Sequence, residues 1–241
     1  MEENIRIRAF FAPDDPEGCA RFVEGHTKVL EMHGINKVTS SNEEWTNWPF
    51  VVVVVVEDMA GERMFGGARL HLYDGIHRLP IETAVFNMDS RIEEVIKSYA
   101  DNGAAELCGL WNSIEVAGLG IGSLFPIRAC VALTTQLEIN SLFFLCSPLT
   151  VRFNKWVGSR VITEVGNHGT FYYPKLDLLA TAVVLEDAYS VRSAHPRERE
   201  KIYALRNDPL VVQREKSPFK NFYINVHYSL KLPILNKVKV G

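Results

Sequence analysis

Three glycines at alternate positions, Gly118, Gly120 and Gly122, in the run Ala117-Gly-Leu-Gly-Ile-Gly-Ser123, are the first residues whose types and spacing could do chemistry. Upstream, Ala104 to Asn112 reads as a strand. Downstream, Leu124 to Leu137 is apolar at Leu124, Phe125, Ile127, Ala129, Val131, Ala132, Leu133 and Leu137, dense enough for a mostly buried helix of about four turns. Pro126 fits that helix only in its first turn, where a missing N–H costs nothing, so the helix should start near Gly122 or Ser123. A glycine-rich turn feeding a helix N-terminus aims unpaired N–H groups and the positive end of the helix dipole at one point, and that suits an anion. It is not a Walker loop, since no Gly-Lys-Ser/Thr follows, and the spacing is not Gly-x-Gly-x-x-Gly. On spacing alone, a flexible connection that binds nothing fits equally well.

The elements that must position this turn follow from hydrophobic pattern. Ile5 to Phe10 alternates as a half-buried strand, and Asp14-Asp15-Pro16-Glu17 caps a helix that runs to about Met32 and stops before Gly34. His26 and His33 on that helix read as surface residues. Asn36 to Asn47 is polar and irregular, with Trp45 and Trp48 at its end. Phe50 to Val56 lacks alternation and is β-branched or aromatic throughout, as a strand buried on both faces would be. Met64 to Tyr73 is its antiparallel partner, and Asp74 to Asp89 is a connection of no clear shape. Arg91 to about Tyr99 is a helix capped at Asp89-Ser90. After the loop helix, Ser141 to Cys146 is a second doubly buried strand, parallel to Ala104–Asn112 by a βαβ crossover. Thr150 to Val157 is a short helix, and Val161 to Tyr173 and Ala180 to Glu186 are the last strands. Residues 1–187 make one domain; 188–241, with a charged helix from His195-Pro196 and a strand at Phe222 to Leu230, are an extension packed on the domain or on a second subunit.

A chain of 241 residues, 47% hydrophobic, can bury one large core, and its net charge of −3 with a pI near 6.2 lacks the basic face that non-specific nucleic-acid binding needs. Cys19, Cys108, Cys130 and Cys146 have no CxxC spacing and read as buried free thiols of a reducing cytosol. No histidine cluster has metal-ligand spacing, so no metal is expected. Met-Glu-Glu-Asn has no signal-peptide pattern, and the six valines from Val51 to Val56 are too few to cross a bilayer. The expectation is a cytoplasmic protein that engages neither membrane nor nucleic acid.

The segment Leu110-Trp-Asn-Ser-Ile-Glu-Val-Ala-Gly-Leu-Gly-Ile-Gly122 resembles the core motif of the GNAT superfamily of N-acyltransferases, an apolar strand, a bend and then Gln/Arg-x-x-Gly-x-Gly/Ala opening a helix. Gly120 and Gly122 take the two small positions and Gly118 matches a frequent longer form; Ala117 stands where Gln or Arg is usual. Within the third strand, Gly67-Ala68-Arg69-Leu70 is similar to the Gly-x-x-Arg-Leu of acyl-homoserine lactone synthases, a GNAT-like branch supplied by acyl carrier protein. Glu106 matches that branch's fourth-strand glutamate, while Gly109 replaces the arginine three residues on.

The resemblance implies an α/β fold of mixed α+β type: a central mixed sheet with helices on both faces, in which the fourth and fifth strands splay apart where Ser113 and Pro148 end their pairing. It implies that the pantetheine arm of acetyl-CoA, a longer acyl-CoA or acyl carrier protein fills the splay against Leu110, Trp111 and Asn112. The diphosphate would then rest on Gly118, Leu119, Gly120, Ile121, Gly122 and Ser123. Asn154 occupies the position of the family's general-acid tyrosine and would also meet the donor. Glu106 is the implied base for a small-molecule or peptide amine, with Glu115 in the bend as a second candidate. Arg69, Trp45 and Trp48 would border the acceptor. Glu106 paired to Arg69 as a buried structural carboxylate, and the tryptophans as packing residues, are the competing readings. The apolar third and fifth strands would give a slot for a longer acyl tail, or be ordinary core. An acyltransferase, possible also as a homodimer, and a GNAT-like binding protein without turnover both remain open.

Overall fold

The computed structural model describes residues 4–35, 43–218 and 220–233. Among the described residues ten strands form one sheet: β1 (Asn4–Phe11), β2 (Val51–Glu57), β3 (Met64–Leu72), β4 (Ala104–Asn112), β5 (Ser141–Cys146), β6 (Arg160–Val161), β7 (Thr170–Tyr172), β8 (Leu179–Leu185), β9 (Val212–Lys216) and β10 (Tyr223–Ser229). Their order is β6-β8-β5-β4-β3-β2-β1-β10-β9, with β7 also on β8. The helices are α1 (Pro16–Met32), α2 (Pro80–Val85), α3 (Arg91–Lys97), α4 (Leu124–Leu133), α5 (Pro148–Trp156) and α6 (Pro196–Asn207).

Every residue of β2 is buried because both faces of the sheet are covered. On one face Val52, Val54 and Val56 join Ala68, Leu70, Ala105 and Leu107 under α4, Phe153 of α5 and Ile202 and Leu205 of α6. On the other, Val51, Val53 and Val55 lie under Cys19 and Phe22 of α1, while Ala104, Phe143, Ala182 and Val184 meet Ile81 and Val85 of α2 and Ile92 and Ile96 of α3. The second face thus carries two apolar clusters side by side, with a seam along β3 and β4.

Local signals place most elements. Asp15 caps α1 by accepting the Gly18 N–H at 2.8 Å, and Pro126 sits in the first turn of α4, as its missing N–H requires. The expected helix from Leu124 to Leu137 is shorter, ending at Leu133 and continuing as turns. The shapeless connection from Asp74 to Asp89 contains α2, whose start is held from outside by a carboxylate on β4. His26 is buried, not a surface residue, at 6% exposure beside the Phe22 ring. Of the polar stretch Asn36 to Asn47, residues 36–42 lie outside the described residues, and Glu44–Asn47 form a 3-10 turn.

The segment from residue 188 onward adds β10 parallel to β1, with Ile5 opposite Val226, and β9 antiparallel to β10. It is also tied in by charge. Arg128 of α4, 1% exposed, donates through Nε and Nη2 to Glu198 of α6 at 2.7 and 2.9 Å and ion-pairs with Glu215 of β9 at 2.7 Å. Lys201 closes the network on Glu215.

Candidate active site

Gly109 is where β4 stops being an ordinary strand. It has φ +57, and the β3–β4 register passes from Arg69 opposite Cys108 to Gly67 opposite Trp111, so Gly109 and Leu110 together oppose Ala68. This is a β-bulge, and glycine supplies the left-handed residue it needs. The extra residue reverses the alternation: Trp111 joins Glu106 and Cys108 on the α1 face, while Leu110 packs with Leu107 on the α4 face. A glycine inside an apolar strand was the available sign of a bulge.

The fourth and fifth strands do part, and they do so earlier than Ser113 and Pro148. Parallel pairing covers only Ala104 with Ser141, Ala105 with Leu142 and Glu106 with Phe143, although β4 continues to Asn112 and β5 to Cys146. The bulge and its added twist lie just beyond the last pair, which accounts for the early separation. Backbone groups of β4 from Leu107 onward therefore face a gap. At the far end of β5, Asn154 is 1% exposed and donates to Cys146 Sγ at 3.1 Å and to the Thr150 carbonyl at 3.1 Å. Its Oδ1 is buried without a hydrogen-bond partner among the described residues.

The glycine turn sits across the end of β4. Asn112 Oδ1 accepts the Gly122 N–H at 2.9 Å, so this side chain tethers the loop. Leu119 N–H goes to the Val116 carbonyl, and the N–H groups of Ser123 and Phe125 both go to the Gly120 carbonyl. The amides of Gly118, Gly120 and Ile121 have no acceptor among the described residues. Gly118 and Gly120 adopt φ of +75 and +81. The turn between β9 and β10 lies over them: Ser217 Oγ donates to the Gly118 carbonyl at 3.3 Å, and a Cβ at Gly120 would come within 2.5 Å of Pro218 Cδ. Lys220 Cε stands 3.8 Å from where a Gly118 Cβ would be. No sequence signal points to this lysine, since only the sheet brings it to the loop.

Glu106 is the last paired residue before the gap and is 2% exposed. Its Oε2 accepts the Ile81 N–H at 2.7 Å and thereby caps the start of α2. Burial pushes its carboxyl up to about 8, against that hydrogen bond and the attraction of Arg69. Glu115 lies exposed in the bend, 3.8 Å from Arg63. Arg69, fully buried, lies over the Trp45 ring at 4.1 Å and reaches Cys108 Sγ at 3.7 Å. Trp45 is buried against Phe22, whereas Trp48 is partly exposed, stacks on Phe50 with centroids 5.2 Å apart and lies tilted against His77 at 5.0 Å. Of the fifth-strand residues expected to line an acyl slot, Leu142, Phe143 and Phe144 are core, at 0 to 1% exposure, and Leu145 is half-buried. Burial pushes the thiols of Cys108 and Cys146 up to about 12, so neither is a thiolate nucleophile at neutral pH. Among the described residues no group of acidic, histidine and cysteine side chains could hold a metal ion, and no helix is long and apolar enough to cross a membrane.

No protein-family model matches the chain, and no curated protein matches it in sequence. Solved structures do match its shape. FeeM, an N-acyl amino acid synthase from uncultured soil microbes, superposes with a TM-score of 0.60 at 16% identity, over 81% of this chain and 97% of FeeM. BjaI, a CoA-dependent acyl-homoserine lactone synthase solved with SAM and isopentyl-CoA, gives 0.52 at 13% identity over 88% and 94%. MesI, another CoA-dependent acyl-homoserine lactone synthase, gives 0.50 at 11% identity over 84% and 95%. With the bulged β4, the parted β4 and β5 and the glycine turn opening α4, the chain has the GNAT-like acyltransferase fold of these synthases.

Proposed function

We propose that this chain is an N-acyltransferase that moves an acyl group from acyl-CoA, or from acyl carrier protein, to the amine of a small molecule or peptide. The observation that carries the reading is the gap between β4 and β5, opened by the bulge at Gly109 and closed at one end by the glycine turn. A pantetheine arm has amide groups that match exposed strand edges, and Asn154 Oδ1 is a buried acceptor for one of its N–H groups. The diphosphate would take the amides of Gly118, Gly120 and Ile121, with Lys220 supplying the cation that Ala117 lacks.

In the reaction, Glu106 in its ionised form accepts the proton of the acceptor amine, and the amine nitrogen adds to the thioester carbonyl. A β4 amide facing the gap stabilises the oxyanion; losing one donor from such a hole costs about 10²–10³ in rate. The carbon–sulfur bond then breaks, and the thiolate takes its proton from water, since Asn154 has none to give. The absence of a tyrosine at 154 and the deep burial of Glu106 favour the alternative, a donor-binding protein without turnover. Native mass spectrometry after incubation with acetyl-, octanoyl- and palmitoyl-CoA tests donor retention. Thiol release on adding amines then separates an enzyme from a binder, and failure to retain any thioester would sink both.

Lys220→Glu is expected to weaken acyl-CoA binding about five- to tenfold, the scale of one exposed charge contact near a phosphate, with the loss shrinking at high salt. Isothermal titration at two salt concentrations reads it. An unchanged dissociation constant would remove Lys220 from the donor site.

A further inference from the structure

On the α1 face the sheet is only partly covered. Ile5 and Ile7 of β1 and Ile224, Val226 and Tyr228 of β10 are buried on the α4 face, and Glu215 of β9 reaches Arg128 there. Strand alternation therefore turns Arg6 and Arg8, Tyr223, Asn225, His227 and Ser229, and Val212, Arg214 and Lys216 to the α1 face. The helix α1 itself packs on β2, β3 and β4 and borders β1, where Asp15 pairs with Arg8 at 2.7 Å. Past that border, among the described residues, the outer strands stand open: Val212, Arg214, Lys216, Tyr223 and Ser229 are all exposed. This open face carries one sign of charge. The single acid on β1, β9 and β10 is Glu215, which is fully buried on the other side, so none of the three strands exposes a carboxylate. Glu57 of β2 neutralises Arg6 and Arg8, each at 2.7 Å. Arg214 and Lys216 lie over the Tyr223 ring, 4.7 and 5.9 Å from its centroid. Beside them Val212 and Leu210, just before β9, are aliphatic and 56 and 59% exposed. The net charge of −3 hides this segregation, since from Pro209 to Gly241 six lysines and arginines stand against Glu215 alone.

These features select a partner. Cations beside aliphatic and tyrosyl side chains on an open pleated surface suit a bilayer interface, where ammonium and guanidinium groups meet lipid phosphates and apolar side chains enter the acyl boundary. Single-stranded nucleic acid would need an aromatic ring free to stack a base, and Tyr223, the exposed ring on this face, is already engaged by Arg214. We infer that the open face of β9 and β10 docks the protein on an anionic membrane surface. Arg214 and Lys216 take the headgroup phosphates, and Leu210, Val212 and Tyr223 enter the interface. A docked surface, unlike a spanning segment, needs no long apolar helix. The hairpin that joins β9 to β10 also holds Ser217 and Pro218 against the glycine turn, so the docked face lies next to that turn. The inference stands independently of the acyltransferase reading.

The test is flotation with vesicles of phosphatidylcholine, alone and with about one third phosphatidylglycerol, at low and high salt. The full chain should bind the anionic vesicles about tenfold or more tighter than the neutral ones, and high salt should remove most of that difference. A cation close to an anionic surface contributes about fivefold in partitioning, so Arg214→Gln combined with Lys216→Gln should lower binding roughly twentyfold. Both side chains are exposed, so the melting temperature of this double variant should stay within about 2 °C of wild type. Lys28→Gln, at the exposed Glu24 pair on α1, should bind as wild type does. Equal binding to the two kinds of vesicle, no binding to either, or a double variant that binds as wild type overturns the inference. So does a single-stranded oligonucleotide or polyglutamate that strips the protein from anionic vesicles at matched charge, which would assign the face to a soluble polyanion.

Discussion

Glutamine in place of Glu106 is expected to lower kcat by a factor of 10² to 10⁴, the usual worth of a positioned general base, with little change in acyl-CoA affinity. In the proposed reaction the base acts on the acceptor amine, and the donor would lie along the gap beyond it. Glutamine retains a carbonyl oxygen able to accept the Ile81 N–H, so α2 keeps its cap, and below pH 4.5, where both side chains are neutral, stability should change by no more than about 1 kcal/mol. The pH profile separates this role from a structural one. Burial raises the carboxyl to about 8, so the base form is scarce at neutral pH and kcat/KM should climb with pH and level off above about 8. Stability runs the other way: a carboxyl whose folded value is raised above 4.5 favours folding most below 4.5, and that contribution is lost as pH rises through about 8. In the glutamine variant both trends should vanish together. A variant that unfolds many degrees lower while keeping the wild-type pH–rate profile would assign Glu106 to the cap of α2 alone.

Arg128→Met should destabilise the protein by about 3–5 kcal/mol, because it leaves Glu198 and Glu215 buried as carboxylates without their shared cation. For a domain of this size that is a fall in Tm of roughly 6 to 20 °C. Burial raises the Glu215 carboxyl, but Arg128 and Lys201 outweigh it and hold it below the usual value of 4.5. Its contribution is therefore present above 4.5 and lost as pH falls through its lowered folded value. The gap between wild type and variant, measured by calorimetry, should narrow in acid. A Tm within 2 °C of wild type at neutral pH would be inconsistent with the network holding β9 and α6 to α4.

The pattern of the chain was enough for the elements that repeat locally. Six consecutive valines require a strand covered on both faces, Pro126 pins the start of α4, Asp15 before Pro16 opens α1, and glycines at 118, 120 and 122 mark a turn that side chains cannot make. The strand–turn–helix around residue 120, and with it the fold class, was legible because periodicity, caps and positive φ are imposed by neighbours within a few residues. What decides the site is long-range. Gly109 could be read as a missing arginine until its φ of +57 showed the bulge that turns Trp111 to the α1 face and parts β4 from β5. The partner of Glu106 is a backbone amide of α2, and the cover of the glycine turn is Pro218 with Lys220, about a hundred residues downstream. Likewise β10 reaches β1, and Arg128 its two glutamates, only through the closed sheet. Such pairings leave no spacing in the sequence, because the free energy that selects them comes from burying apolar faces and satisfying polar groups across the whole sheet, not from any local preference.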